Sequence, residues 1–187
     1  MLITDIHSPT PQLVANAFQV DTTTWKWEFI EKNDLIKTRN FVVYFYVSKT
    51  TKEILKIGST DGLGGLESRV RATANGNKGT AGAHDSKMQP TILTLLKENN
   101  PIELYTLITP PIYREYLFQD KLVQDEIVDS VPQESRYINM YKQLHNNQEP
   151  PFNFNNKGKS PRKMGLTKEQ FVQQDLLERL NRARNLC

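Results

Sequence analysis

Several side chains whose types and order could carry hydrolytic chemistry lie across the middle of the chain. In sequence order they are Tyr44, the triplet Lys56-Ile57-Gly58, Arg69, Glu115, and Asn153 or Asn155. A phenol can take up a proton when a nearby cation lowers its pKa, a guanidinium matches phosphate oxygens, and a carboxylate binds Mg²⁺. Such a set could direct a water molecule against a phosphate ester.

Two of these positions have a second candidate close by. Arg71 could take the role of the arginine two positions before it. Glu126 lies on the same expected helix as Glu115, which is favoured because it is nearer the start of that helix. Taken singly, each residue also has an ordinary explanation, for example a glutamate that favours the dipole of a helix N-terminus.

The order of these residues resembles the GIY-YIG nuclease family over about residues 40–155. That family has a tyrosine closing a first triplet, a Tyr-Ile-Gly triplet soon after, and then Arg, Glu and Asn. The likeness is closest to the type II restriction endonuclease branch, some members of which have Lys at the start of the second triplet. The chain departs from the pattern at Val42, which replaces the first glycine, and at Ser59, where that branch often has a phosphate-contacting His. His84, in a later loop, is a second candidate for that contact.

The resemblance implies an endonuclease that cuts double-stranded DNA with one Mg²⁺ or Mn²⁺ per active site, acting as a homodimer. It implies that Glu115, around which the sequence matches that branch's helix, binds the metal, that Arg69 binds the phosphate and that Tyr44 is the general base. Lys56, expected to face Tyr44 across a hairpin, would favour the phenolate, and Gly58 would let the chain or the phosphate approach closely. The supporting residues would be Ser59, Asn153 and Asn155.

A β-hairpin must position the first part of this set. Residues 41–47 (FVVYFYV) are β-branched or aromatic throughout, which predicts a strand buried on both faces. A polar turn at 49–53 and a second strand at 54–58 complete the hairpin. A glycine-rich loop then leads into a short helix with Leu66, Val70 and Ala74 inside.

The later elements alternate between helices and a strand. The patterns predict a helix over 86–98, with Pro90 tolerable only in its first turn, and a strand over 101–108. Helical spacing of Ile112, Tyr116, Val123 and Ile127 predicts an amphipathic helix over 112–131. A helix over 135–145 and a buried loop over 150–155 should follow. The last helix is expected to begin at a Thr167–Gln170 capping box, with an apolar stripe of Val172, Leu176, Leu180 and Ala183.

These elements predict an α+β fold with a small three-stranded antiparallel sheet of GIY-YIG type, flanked by helices and by terminal extensions. The expected divisions are an N-terminal extension (1–39), a nuclease domain (40–156), and a basic linker with a C-terminal helix (157–187). Residues 1–24 are expected to form an extended arm. Trp25, Trp27 and Phe29 alternate as on a strand, and the tryptophans favour core packing over base stacking.

The composition permits nucleic-acid binding without requiring it. The 187 residues carry a net charge of +3 with an isoelectric point near 8.9. The single cysteine, Cys187, excludes an internal disulfide, and no apolar run is long enough to span a bilayer, so a cytoplasmic protein is expected. Candidate DNA-contacting residues are Arg71, Lys78, Lys157, Lys159, Arg162 and Lys163.

Three functions follow as hypotheses. The first is a type II restriction enzyme. The second is a homing, repair or phage nuclease built on the same domain. The third is a catalytically inactive domain that only binds DNA, which the missing glycine and the Lys-for-Tyr change favour.

Overall fold

Seven strands and four α-helices make up the described part of the chain. The computed structural model describes residues 1–30, 36–37, 40–75, 82–109, 112–127, 130–153, 161 and 164–187, without the side chains of 82–86, 109, 112 and 126–127. The strands are β1 (Gln12–Gln19), β2 (Trp25–Phe29), β3 (Phe41–Ser48), β4 (Ile54–Thr60), β5 (Ile102–Thr109), β6 (Ile112–Phe118) and β7 (Lys121–Ile127). The helices are α1 (Gly65–Ala74), α2 (Gly82–Lys97), α3 (Ser130–Leu144) and α4 (Lys168–Arg184), and a short 3-10 helix, Ile3–Asp5, precedes β1.

Five strands form one antiparallel sheet in the order β2-β1-β5-β3-β4. The predicted α+β class is confirmed, but the predicted number of strands is wrong because β1 and β2 extend the sheet beyond β5. Part of the expected N-terminal arm is therefore a strand: Asn16 of β1 pairs with Glu103 of β5. Trp25 and Trp27 of β2 are buried, as core packing requires.

The β3–β4 hairpin is present as predicted, and β3 is buried at every position. Alternate side chains of β3 enter two separate apolar clusters. Tyr44 and Tyr46 pack with Leu66 and Val70 of α1, whereas Phe45 packs with Tyr137 of α3 on the opposite face. Because helices cover both faces, β3 needs apolar residues throughout rather than an alternating pattern.

The helix predicted over 112–131 is wrong. Those residues form β6 and β7, which pair only with each other within the described chain, and α3 starts at Ser130. The turn between the strands places Gln119 and Asp120 at positive φ, 49° and 59°. Both central residues of a tight hairpin turn of this kind take the left-handed conformation.

The other helices are close to expectation, with differences at their ends. Helix α2 begins early enough that Pro90 lies in its interior rather than in its first turn. The Thr167–Gln170 capping box of α4 is confirmed, but Val172 of its predicted apolar stripe is 40% exposed. Among the described residues, no helix has the length and apolar character needed to cross a bilayer.

Candidate active site

The ring of Tyr44 lies directly over Gly58. The two residues are cross-strand partners in the β3–β4 hairpin, and Tyr44 is 1% exposed. A Cβ added at Gly58 would lie 2.4 Å from Cζ of Tyr44 and 2.6 Å from its hydroxyl oxygen. The close approach expected at Gly58 is therefore made by the phenol of Tyr44 itself.

Lys56 lies opposite Tyr46 rather than Tyr44, which corrects the expected pairing. Its Nζ is 5.9 Å from the centre of the Tyr46 ring, and the residue is 4% exposed. The rings of Tyr44 and Tyr46 are 5.7 Å apart. Lys56 and Gly58 are two positions apart on one strand, so they share a face. The ammonium therefore lies over Tyr46, on the face of the sheet that also carries Tyr44.

Glu134 brings a carboxylate to the end of β4. Ser59 donates a hydrogen bond from its Oγ to Oε2 of Glu134 on α3. Helix α3 is held against the sheet by Tyr137, whose ring meets Phe45 edge-to-face at 5.5 Å. Sequence reasoning missed Glu134 because the expected helix started five residues too late. Pro132 was the available signal, since proline favours the first turn of a helix.

Glu115 lies elsewhere, on the exposed strand β6. Its Oε1 accepts a long hydrogen bond, 3.4 Å, from Nε2 of Gln124 on β7. Glu126, the second candidate, pairs with Tyr113 in the same hairpin, and its side chain is outside the described residues. The expected position of Glu115 near the start of a helix is therefore wrong, since Glu115 lies on a strand.

Of the two candidate arginines, Arg69 lines a depression beside the end of β4. That depression, about 270 Å³, is also lined by Thr60 of β4 and Ser68 of α1. Arg71 instead forms an ion pair with Glu67, 2.6 Å between Nη2 and Oε1, and lies 5.5 Å from the centre of the Phe29 ring. Of the two, Arg69 is therefore the one that faces the depression at this end of the sheet.

Asn153 clamps the free edge of β4. Its Oδ1 accepts from the N–H of Ile57 and its Nδ2 donates to the carbonyl of Ile57, both at 2.7 Å. The neighbouring N–H of Phe152 donates to the carbonyl of Leu55 at 2.8 Å. Asn153 is thus placed to hold the strand that carries Lys56 and Gly58, in line with a supporting role.

Several other expected residues lie outside the part of the chain that the structure describes. They are Asn155, Lys78, Lys157, Lys159, Arg162 and Lys163, together with the side chain of His84.

The side chains best suited to hold a cation are two oxygen donors, Glu134 and Ser59. Within the described ranges, no three His, Cys, Asp or Glu side chains gather closely enough to hold a metal. Mg²⁺ is commonly bound through one or two carboxylates, with water filling the other positions. The Glu134 carboxylate and the Ser59 hydroxyl fit that chemistry.

Burial raises the pKa of the nearby Tyr137, so this phenol stays neutral at ordinary pH.

The Tyr44 phenol and the Glu134 carboxylate lie on different sides of the end of β4. Gly58 and Ser59 are adjacent, so their side-chain positions point to opposite faces of the strand. Thr60, beside Arg69 in the depression, shares the face of Gly58 and Tyr44. Because β4 is the last strand of the sheet, a phosphate at this end could meet groups from both faces.

No family model and no curated protein matches the chain. The solved structures similar to it include the following two. One is a glutamate-to-alanine variant of bacteriophage T4 EndoII, with 16% identity, a TM-score of 0.54, and coverage of 82% of this chain and 100% of that one. The other is restriction endonuclease HPY188I in complex with product DNA, with 20% identity, a TM-score of 0.42, and coverage of 75% and 78%. At these identities the likeness concerns the fold, and by the first comparison the chain has a fold similar to that of a phage endonuclease.

Proposed function

We propose that the chain is a metal-dependent endonuclease that hydrolyses DNA phosphodiester bonds. The observation that carries the proposal is the Ser59–Glu134 hydrogen bond, which brings a carboxylate to the end of β4, at the residue that follows Gly58 and on the opposite face of the strand from Tyr44. The similarity in fold to EndoII supports it.

In this mechanism Glu134, in place of Glu115, would hold one Mg²⁺ or Mn²⁺, and the bound ion would supply positive charge to the phosphate and the leaving oxygen. Arg69 binds the phosphate through its guanidinium. Tyr44 takes the proton of the attacking water. Lys56, on the same face of the sheet, favours the negatively charged form of the phenol.

Cleavage of supercoiled plasmid with Mg²⁺ or Mn²⁺ tests the proposal. Glu134→Gln removes the carboxylate charge at constant size, and we expect cleavage to fall on the order of 100-fold or more. Glu115→Gln is the matched control, because Glu115 lies on an exposed hairpin, and it should cut like the wild type. A wild type that neither nicks nor linearises DNA with either metal would sink the proposal. So would a pair of variants in which only Glu115→Gln is impaired.

As the more specific role we propose a type II restriction enzyme that acts as a homodimer on double-stranded DNA. A dimer presents two equivalent sites to the two strands of a symmetric sequence. Fragments with one defined sequence at their ends would support this role. Cleavage without defined ends, or only at branched junctions, would instead favour a degradative phage, homing or repair nuclease.

The burial of Tyr44 favours a second candidate, a DNA-binding protein that does not cut. A general base must come within hydrogen-bond reach of its water, and this phenol is 1% exposed. Tyr44→Phe separates the two functions, since it removes only the hydroxyl. Loss of cleavage with unchanged DNA affinity supports the nuclease. Salt-sensitive DNA binding by a wild type that never cuts would support the second candidate.

A further inference from the structure

A buried group of charged side chains on α4 is not used by the proposed chemistry. Asp175 is fully buried and Arg179 is 2% exposed. Nε of Arg179 lies 3.2 Å from Oδ2 of Asp175, and Nζ of Lys87 on α2 lies 2.6 Å from the same oxygen. Burying charges is costly unless they are paired, so this arrangement needs a reason beyond covering the core.

The charged group is linked to the active-site hairpin by hydrogen bonds. Nη1 of Arg179 donates to the carbonyl of Phe152 at 3.0 Å. The N–H of Phe152 donates to Leu55 of β4, and the next residue, Asn153, makes both of its amide hydrogen bonds to Ile57. The path therefore runs from α4 through two loop residues to the backbone of β4.

The end of that path is the edge strand of the sheet. β4 pairs with β3 on one side only, and the 152–153 loop bonds the carbonyl of Leu55 and both backbone groups of Ile57 on its outer side. Ile57, which Asn153 clamps, lies between Lys56 and Gly58. A shift of the loop would therefore move the residues that face Tyr44 and Tyr46.

We propose that Arg179, oriented by Asp175, is a positioning residue that fixes the 152–153 loop against β4 and thereby sets the geometry of the active site. Its effect on cleavage rests on the proposed nuclease function. Its effect on β4 does not. An apolar side chain could fill the same volume at α4, but it could not donate to the Phe152 carbonyl.

The variant that tests this is Arg179→Met. It removes the donor to Phe152 while Asp175 keeps its ion pair with Lys87, so no carboxylate is left buried alone. Arg182→Met is the matched control. Arg182 is one turn along the same helix, and its Nη2 lies 2.8 Å from Oε1 of Glu178, with both side chains about a third exposed.

Two readouts are needed on the full chain. Hydrogen exchange of the Ile57 amide, followed by NMR, reports the clamp directly, and we expect it to speed up about tenfold relative to Arg182→Met. Single-turnover cleavage should fall by a similar factor while the Kd for DNA stays unchanged. A helix that only added stability would shift the unfolding midpoint and leave this local exchange rate, measured well below unfolding, unaltered.

An unchanged Ile57 exchange rate in Arg179→Met would overturn the proposal, whatever happens to cleavage. Faster exchange with undiminished cleavage would overturn the positioning role. If the wild type itself does not cut DNA, the nuclease function fails and the exchange rate still decides whether Arg179 fixes the loop.

A double variant gives an independent check on the path. If Arg179 acts through Asn153, then Arg179→Met combined with Asn153→Ala should expose Ile57 no more than Asn153→Ala alone. Additive increases in the exchange rate would show two separate effects and would contradict the proposed connection.

Discussion

Replacement of Gly58 by alanine adds a single methyl group where the structure has no room for one. The new Cβ would lie 2.4 Å from Cζ, 2.6 Å from the hydroxyl oxygen and 2.9 Å from Cε2 of Tyr44. Carbon atoms in contact prefer separations of roughly 3.5–4.0 Å. The ring would have to move by more than an ångström to restore an ordinary contact.

That movement is opposed on both sides of the contact. The Tyr44 ring is buried and lies 5.7 Å from the Tyr46 ring, in a cluster with Leu66 of α1. Gly58 itself is fixed in the β3–β4 ladder. Overpacking of a filled core costs about 1–3 kcal/mol, and a contact this short on a backbone held by pairing belongs at the upper end, about 3 kcal/mol. For a chain of 187 residues, that corresponds to a fall in Tm of roughly 6–12 °C.

Thermal unfolding followed by circular dichroism measures this directly, with Gly62→Ala as the control. A Cβ at Gly62 would meet only the Oγ1 of Thr60, at 3.5 Å, which is an ordinary contact. We expect the control to unfold within a degree or two of the wild type. Equal Tm values for Gly58→Ala and Gly62→Ala would refute the reasoning.

A second variant separates this steric clash from a general weakening of β4. Tyr44→Leu removes the atoms that the new methyl group would strike. The combination of Gly58→Ala with Tyr44→Leu should therefore be more stable than the sum of the two single effects predicts. Strict additivity would mean that the glycine is needed for some other reason.

Two further changes have expected outcomes. Asn153→Ala removes both hydrogen bonds to Ile57 and should lower the free energy of unfolding by about 2 kcal/mol; calorimetry that finds no change would contradict the clamp. The pKa of His145 is lowered below its usual 6.5 by burial and by the Met1 ammonium, against the opposing charge of Glu53. Because the folded-state pKa is depressed, the neutral imidazole contributes stability above pH 6.5 that is lost as the pH falls through the folded-state value. Unfolding measured from about pH 7 to 5 should therefore show a steeper loss for the wild type than for His145→Gln, and parallel curves would be inconsistent with this.

The strand β3 could be predicted because its sequence leaves one physical solution. A run of β-branched and aromatic residues with no polar interruption suits a strand covered on both faces, and every position is buried. The partner strand, the helix α1 and the strand β5 followed from similar local patterns. So did the capping box of α4, which needs only two residues at fixed spacing.

The hairpin β6–β7 was misassigned because its spacing is ambiguous. Ile112 and Tyr116 are four positions apart, as are Val123 and Ile127. A spacing of four suits one face of a helix and also one face of a strand, since it is a multiple of two. The turn between the strands consists of Gln119 and Asp120, so it lacks the glycine that most tight hairpin turns contain. The preference for Glu115 over Glu126 as the metal ligand used the helix that this misassignment predicted.

Other parts of the fold and of the site depend on contacts between distant residues that no local sequence pattern encodes. β1 contains Ala15, Asn16 and Ala17, which have little preference for strands, and its pairing with β5 decides its conformation. Likewise, nothing near Ser59 in sequence indicates that Glu134 accepts its hydrogen bond, and Lys56 was assigned to the wrong tyrosine because strand register was unknown. The residue types were predictable, whereas their pairing required the fold.

The Tyr44–Gly58 contact also constrains how related sequences can vary. The space above Gly58 has the shape of the phenol, so the glycine is required only while an aromatic ring occupies position 44. We expect the two positions to change together across evolution, with larger residues at 58 appearing where 44 has become small. The residue at position 56 faces a different tyrosine and is free of that restriction. Position 56 can therefore vary more freely than position 58.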